Sequence, residues 1–204
     1  MSLAFPLPLN AFWDRIRVAS IQWRLSHPQS VSQLADGTIL RASRGAPLWR
    51  ATVTTDAYIH EESAEYEAIL ALLDMPGASF LAYDPRKAGL TASGSGSATI
   101  GSISGDRREI SLSGFTGTIT PGDFISFTYG SSPLRYALHR AVAGATNAGS
   151  FEVVPPVSPL VSTGRPVTYE KPFAKFTLEP EPDYGQGRPI FSAGATFGMV
   201  QTLG

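Results

Sequence analysis

Alternation of apolar and polar residues is most regular between residues 118 and 156. A Pro-Gly-Asp turn at 121–123 precedes one alternating segment at 124–129, and a Gly-Ser-Ser-Pro turn precedes the next at 134–143. An Asn-Ala-Gly turn then leads into a short apolar segment at 151–154, which two prolines end. Gly and Asn supply positive φ angles and Pro presets φ, so each turn has a physical cause. The pattern predicts an antiparallel meander of the kind that closes into a small barrel or sandwich.

The first half of the chain predicts several strands of the same alternating type. In the longest of them, Trp49, Ala51 and Val53 lie on one side and polar residues on the other. An Asp-Gly pair at 36–37 predicts a hairpin turn. The strands predicted in this half cover residues 21–25, 38–41, 48–57 and 79–83.

Residues 61–73 predict a helix. Apolar side chains recur there at helical spacing and form one stripe, made of Tyr66, Ile69, Leu70 and Leu73. Glutamates crowd the first half, where the helix dipole favours negative charge, and Pro76-Gly77 ends the helix.

A shift towards Gly and Ser after residue 87 predicts a domain boundary near residues 87–91. The expected fold is mainly β with one α-helix. Residues 1–88 and 170–204 would form a β-sandwich-like domain, and residues 89–169 an inserted, small antiparallel β-barrel with its own core. We expect excision of this insert to leave the rest folded. Further strands are predicted at 98–102, 109–113, 167–169 and 173–178, and the segment 195–203 is either a last strand or an extended arm. The expected barrel core consists of Ile110, Leu112, Phe124, Phe127, Leu134, Leu138 and Val153.

Composition narrows the function classes. Charged residues make up 16% of the 204 and the net charge is −1, which argues against a basic nucleic-acid-binding face. Of the basic residues only three are lysines. A low charge density with an arginine bias suits subunit interfaces, and a GC-rich genome is the alternative explanation of the bias. The absence of cysteine excludes disulfides and thiolate chemistry. The N-terminus does not resemble a secretory signal and no apolar run has the length of a membrane span, so we expect a soluble protein made in the cytosol.

No pattern in the sequence favours an enzyme, a metal or a cofactor. The three histidines, His27, His60 and His139, are expected to be surface or interface residues. The segment 101–105 carries Ile where a nucleophile elbow needs Ser. The Gly-Ser run at 94–97 lacks the Lys of a phosphate-binding loop and predicts a flexible loop. Glu61 and Glu65 could hold a cation but are expected to be solvated. Arg107-Arg108 is too small a basic spot for a DNA track.

Aromatic residues present a second possibility, a platform for a sugar. Trp13, Trp23, Trp49, Tyr58 and Phe80 could form one, although alternation places Trp23 and Trp49 towards the expected core. By contrast, the tyrosines that flank the second turn of the meander are predicted to be exposed. They are Tyr129 and Tyr136.

The order of elements carries a resemblance to a known family. The strand LWRATV, the acidic helix EESAEYEAILALLDMPG and the segment FLAYDP resemble the first domain of distal tail proteins of long-tailed bacteriophages and gene transfer agents. The later stretches PGDFISF, RYALHRAV, AGSFEVVPP and PVTYEKPFAKFTLEP are similar to β modules of such tail proteins. The resemblance covers residues 18–180 approximately, and it implies that the insert is an OB-like barrel.

The resemblance also implies a function. It leads us to expect a structural virion protein that forms a homohexameric ring at the distal end of the tail tube. The implied partners are further copies of the chain, the tail tube protein and a baseplate hub or tail tip protein, with DNA passing through a central channel. No cofactor and no membrane are implied, and the expected location is the virion tail, assembled in the host cytoplasm.

Two other functions remain open from the sequence. One is a small β-sandwich carbohydrate-binding module, and the other is a tail-tube or head–tail joining protein with one continuous sheet and a longer hairpin arm.

If the protein forms a ring, its lumen should not be basic, since DNA must slide through it. The acidic helix start at 61–67 is a candidate source of negative potential. A lumen lined by Arg15, Arg17, Arg24 or Arg50 would contradict that expectation.

Overall fold

The computed structural model describes residues 4–90, 94–187 and 191–203. The described part contains one α-helix, α1 (His60–Leu73), and short 3-10 turns at Leu9–Ala11 and Pro85–Lys87. It is mainly β, as the sequence predicts. Its strands, in chain order, are β1 (Val18–Ser26), β2 (Gln29–Gln33), β3 (Ile39–Ser43), β4 (Leu48–Thr55), β5 (Phe80–Ala82), β6 (Gly94–Ser95), β7 (Thr99–Ile103), β8 (Glu109–Ser113), β9 (Thr116–Ile119), β10 (Phe124–Tyr129), β11 (Arg135–Ala141), β12 (Ala145–Thr146), β13 (Phe151–Val154), β14 (Val167–Thr168), β15 (Ala174–Leu178) and β16 (Thr196–Gln201).

A five-stranded antiparallel sheet, in the order β1-β4-β16-β15-β5, forms the first unit with α1. The alternation expected in β4 is confirmed, because Trp49, Ala51 and Val53 are buried and the residues between them are not. The C-terminal segment is a strand, β16, and it lies between β4 and β15 in the middle of the sheet. Helix α1 buries Leu70 and Leu73 against this core, and Tyr66 and Ile69 of the predicted stripe are half-buried.

A six-stranded sheet, in the order β14-β10-β11-β13-β8-β7, forms the second unit. It curls into a nearly closed barrel because β7 meets the segment that leads into β14. At this junction Ile100 N–H donates to the Arg165 carbonyl at 2.9 Å and Val167 N–H donates to the Ala98 carbonyl at 2.8 Å. The small sheet β12-β9-β6 accompanies the barrel.

Several expectations about the barrel are wrong. The run at 94–97 is not simply a flexible loop, because Gly94–Ser95 pairs with β9 and Gly96 adopts a φ of +96°. Tyr129 is buried, since its strand points it into the barrel. Leu134 is 44% exposed because it lies in the turn before β11. The predicted core residues that do lie in the barrel core are Ile110, Leu112, Phe127 and Val153.

Phe124 and Leu138 belong instead to the core of the first unit. They lie on the outer face of the barrel, because side chains alternate along β10 and β11 and their neighbours Ile125 and Ala137 point inwards. The Phe124 ring packs edge-on against Trp49 at a centroid distance of 5.2 Å. The Trp49 indole N–H donates to the Leu138 carbonyl at 2.8 Å. The barrel therefore contributes side chains to the core of its neighbour.

Polar contacts complete the junction between the units. Gln201 bridges them, accepting from Trp49 N–H at 3.2 Å and donating to the Tyr136 carbonyl at 3.1 Å. Lys87 lies 2.9 Å from the carboxylate of Asp123, which is fully buried. A paired buried carboxylate is costly to separate from its partner, so these contacts hold the barrel in one orientation on the sheet.

Candidate assembly surface

A hairpin projects from the first unit between β1 and β4. Strands β2 and β3 pair only with each other among the described strands, and every residue from 27 to 46 is exposed. We call residues 27–46 the arm. At its tip Gly37 has a φ of +88°, and Asp36 Oδ1 accepts from Thr38 N–H at 2.9 Å. The predicted Asp-Gly turn is thus confirmed. Strand β2 was not predicted, because its residues are mostly polar and show no apolar alternation.

The arm exposes apolar side chains on both of its faces. Val31 lies opposite Arg41 and shares a face with Ile39, whereas Leu40 lies opposite Ser32 on the other face. Val31 is 64% exposed, and Ile39 and Leu40 are each 55% exposed. An isolated two-stranded hairpin is marginally stable in water, and grouped exposed apolar residues mark interaction sites. Both faces of the arm are therefore candidate interaction surfaces.

The two edges of the five-stranded sheet differ in whether another segment of the chain covers their backbone. At the β5 edge the N-terminal segment covers the backbone, because Leu81 N–H donates to the Leu7 carbonyl at 2.9 Å. At the opposite edge β1 pairs with β4 on one side, and no described segment pairs with its other side. Such an edge is a template for a strand from another chain.

A cleft of about 390 Å³ lies between the two units, beside the foot of the arm. We call it the interdomain cleft. Ala46 and Pro47 line it from the first unit, and a proline-rich segment lines it from the barrel. Its charged lining residues are Arg107 and Arg135, and no described lining residue is acidic. The other lining residues are Tyr129, Ala137, Leu138, His139, Pro155, Pro156, Val157, Ser158, Pro159, Gln201 and Leu203.

Arg107 holds one wall of this cleft. It has a φ of +62°, and its guanidinium donates to the carbonyls of Ser158, Pro159 and Val161 at 2.9 to 3.1 Å. From the sequence, Arg107 belongs to a basic spot too small for a DNA track, and in the structure its guanidinium fixes the loop at 158–161. Arg135, in contrast, forms no ion pair within the described part of the chain.

His139 is buried, and the expectation of a surface or interface histidine is wrong for this residue. Its ring stacks on Phe127 at 5.1 Å, and Nδ1 donates to the Pro155 carbonyl at 2.7 Å. Burial lowers the pKa of His139 to about 4. The ring is therefore neutral near pH 7 and acts as a packing residue of the barrel.

His60 approaches a serine hydroxyl. Its Nδ1 lies 3.1 Å from Ser192 Oγ, a contact that sequence spacing did not suggest. Ser192 is buried, and its backbone exchanges hydrogen bonds with Tyr58. Nucleophilic catalysis also needs a group that orients the histidine, and no described carboxylate contacts the ring. The pair joins the start of α1 to the C-terminal segment, and the absence of enzyme activity stays a prediction.

Two of the four glutamates in the acidic helix start form ion pairs with arginines. Arg15 lies 2.7 Å from Glu65, and Arg17 lies 3.1 Å from Glu62. The hydrogen bond and the charge of Glu65 raise the pKa of Arg15. Because Glu65 contacts Arg15, it is less available as the second ligand of the suggested Glu61–Glu65 cation site. Among the described residues, no group of three or more potential metal ligands occurs.

The suggested sugar platform is not formed. Trp13, Trp49, Tyr58 and Phe80 are buried, and Trp23 is half-buried against Trp49, Phe124 and Phe176. All of them except Tyr58 lie in or against the core of the first unit, as the alternation of their strands suggested for Trp23 and Trp49. In the described ranges, no helix is long and apolar enough to cross a membrane.

No family model matches the chain, and no curated protein matches it.

Proposed function

We propose that the protein is a structural subunit of a virus tail or tail-like particle, such as a phage or a gene transfer agent. Six copies form a ring at the distal end of the tail tube. The ring joins the tube to a baseplate hub or tail tip protein and leaves a channel for DNA. The observation that carries this proposal is the arm, which exposes apolar residues on both faces and has no described partner in its own chain.

The open edge of β1 supports assembly by the same chain. An open strand edge is a template for a strand from another copy, and head-to-tail contacts between copies close into rings when the rotation between them allows it. The arm leaves the first unit directly after β1, so a contact that uses both would be continuous. A ring that is stable without partners needs more than about 1,000 Å² buried at each contact.

The pairing of charges is compatible with passage of DNA. Three of the four arginines considered for the lumen have carboxylate partners, which are Glu65 for Arg15, Glu62 for Arg17 and Glu179 for Arg50. Paired arginines release fewer counterions from a phosphate backbone than free ones and hold DNA less tightly.

One alternative, a tail-tube or joining protein, also accounts for the arm. Against it, the described strands form separate sheets in two units and not one continuous sheet. The carbohydrate-binding module receives less support, because Trp13, Trp49 and Phe80 form core, Trp23 packs against that core and Tyr58 is buried.

The test compares the wild-type protein with two variants by mass photometry and negative-stain electron microscopy. In the first, Ile39→Ser and Leu40→Ser remove apolar surface from both faces of the arm. The control is Leu160→Ser, since Leu160 is 65% exposed on a barrel loop. We expect the wild-type protein and the control to form rings near six times the chain mass of 21.7 kDa. The arm variant should be monomeric. A wild-type protein that is monomeric at every concentration and absent from particle rings would refute the proposal.

A further inference from the structure

We propose that the tip of the arm of one copy docks into the interdomain cleft of the next copy. Leu34 would pack on the proline-rich wall of the cleft, and Asp36 would pair with Arg135. This inference rests on the proposed function only in requiring that the chain associates with itself.

The cleft offers apolar walls and unbalanced positive charge. Pro155, Pro156 and Pro159 line it on the barrel side, and both of its charged lining residues are arginines. Arg107 is held by three backbone carbonyls, which leaves its positive charge uncompensated. Arg135 lies half-buried and unpaired within the described ranges. The site therefore favours a ligand that has both an apolar side chain and a carboxylate.

The tip of the arm has those two groups next to each other. Leu34 is 44% exposed, and Asp36 is the one acidic residue between positions 27 and 46. Asp36 is exposed, and its Oδ1 accepts from Thr38 N–H. The carboxylate therefore lies at the surface, where an arginine of a second copy can reach it.

The arm cannot fill the cleft of its own chain. Ala46 and Pro47, at the foot of the arm, line the cleft, whereas the tip lies seven residues beyond Gln29 along the hairpin. At about 3.3 Å per residue, a paired strand places the tip roughly 23 Å from the foot. Because the two strands are hydrogen-bonded along their length, the tip does not fold back. The occupant must come from a second copy, and such a head-to-tail contact can propagate around a ring.

Disulfide trapping tests the contact without background, because the chain contains no cysteine. A Leu34→Cys protein is mixed with a Ser158→Cys protein under mild oxidation, and products are separated on a non-reducing gel. We expect a cross-linked dimer from the mixture. Ser113→Cys replaces Ser158→Cys as the control, since exposed Ser113 lies at the other end of β8 from Arg107. It should give at least tenfold less product.

Charge variants test the ion pair separately. Asp36→Asn keeps an oxygen that can accept from Thr38 N–H and removes only the charge, and Arg135→Gln removes the opposite charge. Each should weaken self-association about tenfold, and the double variant should be no weaker than either alone, because a charge-assisted hydrogen bond is lost once. Asp36→Arg combined with Arg135→Asp should restore association that each single reversal abolishes.

The outcomes separate this inference from the proposed function. Rings that form normally, with equal trapping at Ser158 and Ser113 and with additive charge variants, would overturn the docking contact and leave the ring intact. A protein that never associates would overturn both.

Discussion

Phe124→Ala is the change that best tests how the two units are joined. Phe124 belongs to β10 of the barrel but is 2% exposed within the core of the first unit. Its ring contacts Trp49 at 5.2 Å and Trp23 at 6.3 Å, and the Arg140 guanidinium lies over it at 5.5 Å. Truncation to alanine removes these contacts together and leaves a cavity between the units.

The expected cost follows from the size of the side chain. Truncation of a buried phenylalanine lowers the free energy of unfolding by about 3–5 kcal/mol. For a chain of this length, 1 kcal/mol corresponds to about 2–4 °C, so Tm should fall by roughly 6–20 °C. Because the lost contacts are those of Trp49 and Trp23, the first unit should be destabilised as well as the barrel.

Tryptophan fluorescence reports on the first unit alone. The three tryptophans of the chain, Trp13, Trp23 and Trp49, all pack in or against the core of that unit. Urea unfolding is followed by this signal and by far-ultraviolet circular dichroism. Phe127→Ala is the matched control, since Phe127 is equally buried but packs on His139 inside the barrel. Before any denaturant is added, Phe124→Ala should change the emission spectrum, whereas Phe127→Ala should not.

The reasoning fails if Phe124→Ala leaves the emission spectrum and the fluorescence-detected midpoint of the wild type unchanged. That result would mean that the barrel rests on the first unit without contributing to its core. It would also favour the sequence-based expectation that residues 89–169 can be excised. The structure instead predicts that excision exposes Trp49, because both Phe124 and Leu138 leave with the insert.

Two further predictions concern buried positions. Since the pKa of His139 is held at about 4 against an ordinary 6.5, the unfolded chain takes up a proton first as the pH falls. Stability present above pH 6.5 should therefore decrease towards pH 4, by up to about 3 kcal/mol. His139→Gln, which can still donate to the Pro155 carbonyl, should flatten this part of the profile in urea titrations, and an unchanged slope would contradict the assignment. At Gly194 a methyl group would overlap the Thr55 carbonyl, so Gly194→Ala should cost about 1–3 kcal/mol in the same assay. Gly105→Ala, whose methyl meets open space, should cost less, and equal losses would refute the packing argument.

The sequence alone determined most of the elements. Strands β4, β10 and β13 and helix α1 follow from alternation or helical spacing with turn residues at their ends, because these signals are local. The mainly β fold with one helix and a small barrel follows from the same signals. The family resemblance added the ring hypothesis, which stays a proposal.

Tertiary structure decided which core each side chain joins. Alternation alone places Phe124 and Phe127 on opposite faces of β10, because they are three residues apart in one strand. It does not show which face points into the barrel, nor that both faces of this strand are covered. Phe124 and Leu138 were assigned to the barrel because burial by a distant part of the chain leaves no local signal. The burial of Tyr129 and His139 was missed for the same reason.

The candidate site depended even more on tertiary structure. The arm was predicted only as a turn and one strand, because its apolar residues lie on both faces and show no regular period. The interdomain cleft joins residues 46–47 with segments near 107, 135, 155–159 and 201–203. No spacing in the sequence relates these positions, because their proximity is set by the pairing of β10 with β11 and by the docking of the barrel on Trp49.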